Sequence, residues 1–150
     1  MLLSQKFYPE KRLIMSESIG IYIHIPFCKS KCPYCDFYSV APQKGVTDSY
    51  VAALCRKISE ENRIYDTVYF GGGTPTLLPS ECFGAIMSAL YECFEVTDGA
   101  EISVECNPAT IDREGLASLR ALGINRLSIG LQSANENELK ALGRLHSFED

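Results

Sequence analysis

The sequence predicts an α/β fold built on parallel strands, the opening part of a barrel-like architecture with about four βα units. Three observations predict it. Short apolar runs with a period of two alternate with longer runs of helical period. Each unit repeats the order strand, loop, helix, which requires parallel strands joined by crossovers. The non-random motifs all follow strand ends, where such folds gather their ligands.

The first strand lies in "GIYIHIPF", where Ile21, Ile23 and Ile25 alternate with Tyr22 and His24. The helix "TDSYVAALCRKISEEN" follows, with Tyr50, Leu54 and Ile58 recurring along one face and Thr47 or Asp48 as its N-cap. "DTVYF" is the second strand, "GGGTPT" its loop, and "SECFGAIMSALYECF" a helix with Phe83, Ile86, Met87, Leu90 and Phe94 on one side. "EISVE" is the third strand, "CNPAT" its loop, and Asp112 to Leu122 a helix stopped by Gly123. "RLSIGLQ" is the fourth strand, after which "SANE", Ser133 to Glu136, reads as a capping box opening a short helix.

Residues 1–18 fit no unit and read as an N-terminal tail, with Met15 a second candidate initiator. Residues 19–150 carry the pattern, and "GRLHSFED" reaches Asp150 without a stop signal. A closed (β/α)₈ barrel takes about 200 residues or more, so the expectation is an incomplete domain.

With 46% hydrophobic and 22% charged residues in 150, the composition is that of a packed globular protein. A net charge of −5 with scattered lysines and arginines argues against a grip on nucleic acid or anionic lipid and favours a small-molecule or protein partner. No apolar run has the length of a signal peptide or a transmembrane span, so the chain reads as cytoplasmic. Seven cysteines in a reducing compartment do not build a disulfide framework, and a tight group among them points to metal or redox chemistry. Cys55, Cys82, Cys93 and Cys106 are spread out, and the three in helical patterns, Cys55, Cys82 and Cys93, read as small buried residues.

Cys28, Cys32 and Cys35 fall within eight residues of the loop after the first strand. Soft thiolates suit zinc or an iron–sulfur cluster. Structural zinc needs a fourth protein ligand, and His24, the nearest candidate, sits inside the strand, where a hydrogen-bonded interior role is its default. A cubane held by three cysteines leaves one iron free for a small molecule. Lys29 and Lys31 would lower nearby thiol pKa values, and solvation of an exposed loop explains them as well.

The glycines of "GGGTPT" permit positive φ and close approach of a ligand, although alone they are equally a tight turn, and they match neither a Walker loop nor G-x-G-x-x-G. Glu105 at a strand end suits a ribose or an ammonium group, or is a solvated rim residue. Gln132 and Ser133 carry less, Ser133 being needed as a cap, and Arg144 suits a carboxylate or simply a helix end.

Cys28-x₃-Cys32-x₂-Cys35, with Tyr34 before the last cysteine, resembles the signature of radical S-adenosylmethionine proteins. There, a [4Fe–4S] cluster binds S-adenosylmethionine at its free iron and, once reduced, cleaves it to a 5′-deoxyadenosyl radical. Together "YIHIPFC", "GGGTPT", "VECNP", "RLSIGLQS" and "LGRLH" resemble the oxygen-independent coproporphyrinogen III oxidase family from about Ile19 onward. The resemblance implies the N-terminal part of a (β/α)₆ partial TIM-type barrel, with cluster ligands Cys28, Cys32 and Cys35. It implies S-adenosylmethionine contacts at Tyr22, Gly72, Gly73, Thr74 and Glu105, and a second S-adenosylmethionine at Tyr34, Gln132 and Arg144.

Oxidases of that family carry a further cysteine two residues after the third, where this chain has Phe37, and they have a longer N-terminal arm. Both departures are similar to the heme-chaperone subgroup. The expected function is therefore heme binding and transfer to an acceptor protein, with an electron donor serving the cluster; no catalytic residue is assigned. The alternatives are oxidative decarboxylation of a porphyrinogen, and a zinc-binding or inactive truncated fragment.

Overall fold

A computed structural model of the chain describes residues 19–60 and 64–150, so the tail read over residues 1–18 and the last two residues of the first helix pattern lie outside the described residues. Strands β1 (Ile19–Ile25), β2 (Ile64–Gly72), β3 (Glu95–Cys106) and β4 (Arg126–Ile129) form one sheet in sequence order. Every pairing is parallel. Helices α1 (Lys44–Ser59), α2 (Ser80–Cys93), α3 (Arg113–Ala121) and α4 (Glu136–Ala141) follow the strands in turn. This is the alternating β/α architecture read from the sequence, a fragment of a (β/α) barrel.

The register separates the two sheet faces. Ile23 pairs with Phe70 and Phe70 with Val104, a buried row on the helix side. Tyr22 pairs with Tyr69, Tyr69 with Ser103 and Ser103 with Arg126, a polar row on the opposite face. The period of two therefore sends apolar side chains under the helices and tyrosine, serine and charged groups to the other side. Phe83, Ile86, Met87, Leu90 and Phe94 of the α2 segment are all buried as their spacing predicts. Phe70 and Phe83 meet edge to face with ring centroids 5.4 Å apart, an aromatic contact across the sheet–helix interface. Truncating either to alanine would cost about 3–5 kcal/mol.

Several boundaries differ from the sequence reading. Helix α1 begins at Lys44, capped by Gln43 without a side-chain bond, so Thr47 lies buried inside the first turn and neither Thr47 nor Asp48 is the cap. β3 starts at Glu95; the ladder to β2 shifts between Tyr65 and Thr67, and Gly99 at φ 82° lets the chain leave and rejoin it. β4 ends at Ile129, since Leu131 and Ser133 bond back over short turns and Gln132 has φ 67°. Asn135, not Ser133, caps α4 by accepting from Asn137 and Glu138, while Ser133 Oγ accepts from the amide of Asn135. Asp112, read as the first residue of α3, is its cap, and Gly123 follows the helix at φ 100°, as read.

Candidate functional site

The carboxyl ends of the strands open into one cavity of about 480 Å³. Cys28, Cys32 and Cys35 line it from the loop after β1, Gly72 from the end of β2, Gly73 and Thr74 from the loop after it, Glu105 and Asn107 from the end of β3, and Gln132 and Arg144 from the segments around α4. Motifs far apart in the sequence thus share one space, as strand-end convergence requires.

The cysteine loop is closed at its base. Phe27 and Val40 form an isolated bridge, with Cys28 N donating to Val40 O at 3.0 Å and Val40 N to Pro26 O at 2.8 Å. Within the loop, Lys31 Nζ donates to Phe37 O at 2.7 Å, so this lysine braces the backbone. The side chains of Tyr34 and Phe37 are exposed at the rim. All three thiols are free and half-buried. Among the described residues no three His, Cys, Asp or Glu side chains gather around a single metal position. His24 stays out of the cavity: Nδ1 pairs with Tyr22 Oη at 3.1 Å and Nε2 with Tyr38 O at 3.4 Å, the hydrogen-bonded role taken as its default.

The glycine loop has two different reasons for its glycines. Gly72 has φ 111°, and a Cβ there would lie 2.6 Å from the His24 ring. At Gly73 a Cβ would lie 2.6 Å from Phe27 O, and its amide already donates to Ile25 O at 2.9 Å. Close approach of the β1 end therefore explains Gly73 without a ligand. Thr74 is buried, its amide donating to Phe27 O at 2.7 Å and its hydroxyl 3.8 Å from Cys28 Sγ.

Glu105 is held at both oxygens. Tyr69 Oη donates to Oε1 at 2.8 Å and Gly72 N to Oε2 at 3.1 Å. Burial, then the bond to Glu105, raises the Tyr69 pKa above 10.0. Tyr22 stacks on Tyr69 with centroids 6.1 Å apart beside the cavity; burial and then the Glu105 charge raise its pKa as well.

Arg144 reaches into the cavity, donating through Nη2 to Asn107 Oδ1 and Gly130 O and through Nη1 to Tyr34 Oη and Cys32 Sγ. Its buried Nε has no acceptor among the described residues. Gln132 is exposed on its left-handed turn. The sequence reading passed over three residues. Asn107, read as half of an Asn-Pro turn, bridges Thr74 and Arg144; Tyr69 anchors Glu105; Cys106 is buried at the cavity wall, with a thiol pKa raised by that burial. Only Tyr69 left a signal, since the alternation that buries Val68 and Phe70 sends it to the polar face.

The donor set fits an iron–sulfur cluster with a charged organic ligand. It offers three thiols on one closed loop, a carboxylate fixed by two donors and a half-buried guanidinium at the cavity wall. Comparison with known proteins agrees. The radical SAM superfamily model matches residues 22–150, and the chain belongs to that superfamily.

More narrowly, it is closely related to the branch that contains heme chaperones and coproporphyrinogen III oxidases. It is 38% identical over 138 residues to heme chaperone HemW of Escherichia coli, covering 88% of this chain and 36% of that protein. It is 40% identical over 138 residues to heme chaperone HemW of Synechocystis, covering 86% and 34%. The solved coproporphyrinogen III oxidase HemN of Escherichia coli, described as a radical SAM enzyme, superposes with a TM-score of 0.81 at 34% identity over 88% of this chain and 32% of that one. The chain spans about a third of the length of the curated relatives it matches.

Proposed function

We propose that the protein is a heme chaperone of the radical SAM type, with residues 19–150 the N-terminal part of its core domain and residues 1–18 a tail. Cys28, Cys32 and Cys35 hold a [4Fe–4S] cluster. Such a cluster, when bound, supplies an electron to the sulfonium of S-adenosylmethionine. Glu105, oriented by Tyr69 and Gly72, accepts from a ligand ammonium or hydroxyl. Tyr22, Gly72, Gly73 and Thr74 shape the pocket for that ligand. Arg144, beside Tyr34 and near Gln132, lines the cavity with a cation that suits a carboxylate. The partners are heme, a heme-acceptor protein and an electron donor, and the expected compartment is the cytoplasm; no helix of the described residues is long and apolar enough to cross a membrane.

Phe37 carries the choice of chaperone over oxidase. It stands two residues past Cys35, where the oxidase pattern has another cysteine, and its side chain is exposed at the cavity rim. The two heme chaperones named above support the same choice. Anaerobic reconstitution followed by heme titration and a coproporphyrinogen III assay tests it. Heme binding without porphyrinogen consumption is expected. Consumption of the porphyrinogen with release of 5′-deoxyadenosine would make the protein an oxidase instead.

A further inference from the structure

Asn107 joins three rim segments through its side-chain amide. Nδ2 donates to Thr74 Oγ1 at 3.0 Å, and Oδ1 accepts from Arg144 Nη2 at 2.5 Å. The guanidinium fixes the direction of both bonds, because it carries donors only. Arg144 requires the amide oxygen, so the amide nitrogen must face Thr74. Thr74 Oγ1 is thereby used as an acceptor, and its hydroxyl hydrogen is free to turn to Cys28 Sγ, 3.8 Å away. At the other end Arg144 Nη1 donates to Cys32 Sγ, also at 3.8 Å. Gly130 leaves room for this wiring, since a Cβ there would lie 2.8 Å from Asn107 Oδ1.

We propose that Asn107 is a positioning residue whose amide aims two donors, the Thr74 hydroxyl and the Arg144 guanidinium, at the sulfurs of Cys28 and Cys32, and so raises the reduction potential of the cluster they hold. This rests on the [4Fe–4S] reading above. Donors and positive charge at ligand sulfurs favour the more negative, reduced state of a cluster. Asparagine suits the position because it is neutral and both donates and accepts. An aspartate would pair strongly with Arg144 but has no donor for Thr74. The Thr74 hydroxyl would then donate to the carboxylate and turn away from Cys28.

The test is the midpoint potential of the anaerobically reconstituted protein, followed by electron paramagnetic resonance during redox titration, with iron and sulfide per chain measured alongside. Asn107→Asp is expected to move the midpoint to more negative values at unchanged iron and sulfide. Thr74→Val is expected to move it the same way, and Thr74→Ser, which keeps the hydroxyl, to restore the wild-type value. If Asn107→Asp fails to load, the Thr74 pair decides. Unmoved or more positive potentials in loaded variants overturn the wiring and leave the cofactor reading intact. Wild-type protein without iron and sulfide overturns both.

Discussion

The hydroxyl of Tyr69 donates to Oε1 of Glu105 at 2.8 Å, while Gly72 N holds Oε2 at 3.1 Å, so the carboxylate is oriented before any ligand arrives. Tyr69→Phe keeps the ring stacked on Tyr22 and removes only the first anchor. A hydrogen bond of this kind is worth about 0.5–1.5 kcal/mol, so S-adenosylmethionine should bind roughly two- to twelvefold more weakly. Calorimetric titration of cluster-loaded protein measures this. An unchanged Kd would mean that Gly72 alone orients Glu105.

The same bond gives a pH signature. Burial and then the Glu105 bond hold the Tyr69 hydroxyl above 10.0, the ordinary tyrosine value. A folded-state pKa above the unfolded one contributes stability that is complete below the unfolded value and is lost as pH rises through the folded value. Wild-type protein should therefore lose denaturant resistance more steeply than Tyr69→Phe once the pH passes about 10. Parallel urea denaturation series measure the difference, and identical slopes would remove the bond from the account.

Gly72 and Gly45 make an opposed pair. Gly72 sits at φ 111° with the His24 ring 2.6 Å from where a Cβ would stand, whereas a Cβ on Gly45 in α1 meets nothing within 4 Å. Gly72→Ala should cost at least about 1–3 kcal/mol of stability through backbone strain. Gly45→Ala should be neutral or stabilise by up to about 1 kcal/mol through a less flexible unfolded chain. Thermal melts of both variants compare them directly, and equal effects would place the glycine requirement elsewhere.

The fold and the rim were legible where periodicity is strong. Phe83, Ile86, Met87, Leu90 and Phe94 announced the buried face of α2, and the strand-end rule brought Cys28, Thr74, Glu105 and Gln132 to one cavity. Local chemistry misled where two signals compete. The third strand is read only over "EISVE", yet β3 starts at Glu95 and carries Gly99 as an interruption of a longer strand. In "SAN" both Ser133 and Asn135 are good caps, and the left-handed turn at Gln132 hands the role to Asn135. The links of Asn107 to Thr74 and Arg144 span 33 and 37 residues, and no local pattern encodes a hydrogen bond over that distance.

Phe37 supplies the last test, because it separates a missing ligand from a position that never ligates. Its side chain is 67% exposed at the rim, and its carbonyl accepts from Lys31 within the loop. Cys28, Cys32 and Cys35 are half-buried and line the cavity. Removing any of these three should therefore abolish cluster assembly, since the further thiol at the cavity wall, Cys106, is buried with its pKa raised by that burial and stands outside the closed loop. Cys35→Ala should retain little iron or sulfide after anaerobic reconstitution, with the visible charge-transfer absorption lost. Phe37→Cys should leave iron and sulfide per chain and the spectrum at wild-type values, the added thiol remaining free to alkylation in the loaded protein. Protection of that thiol on cluster loading, or a changed spectrum, would make position 37 a ligand site and remove Phe37 as the ground for choosing chaperone over oxidase.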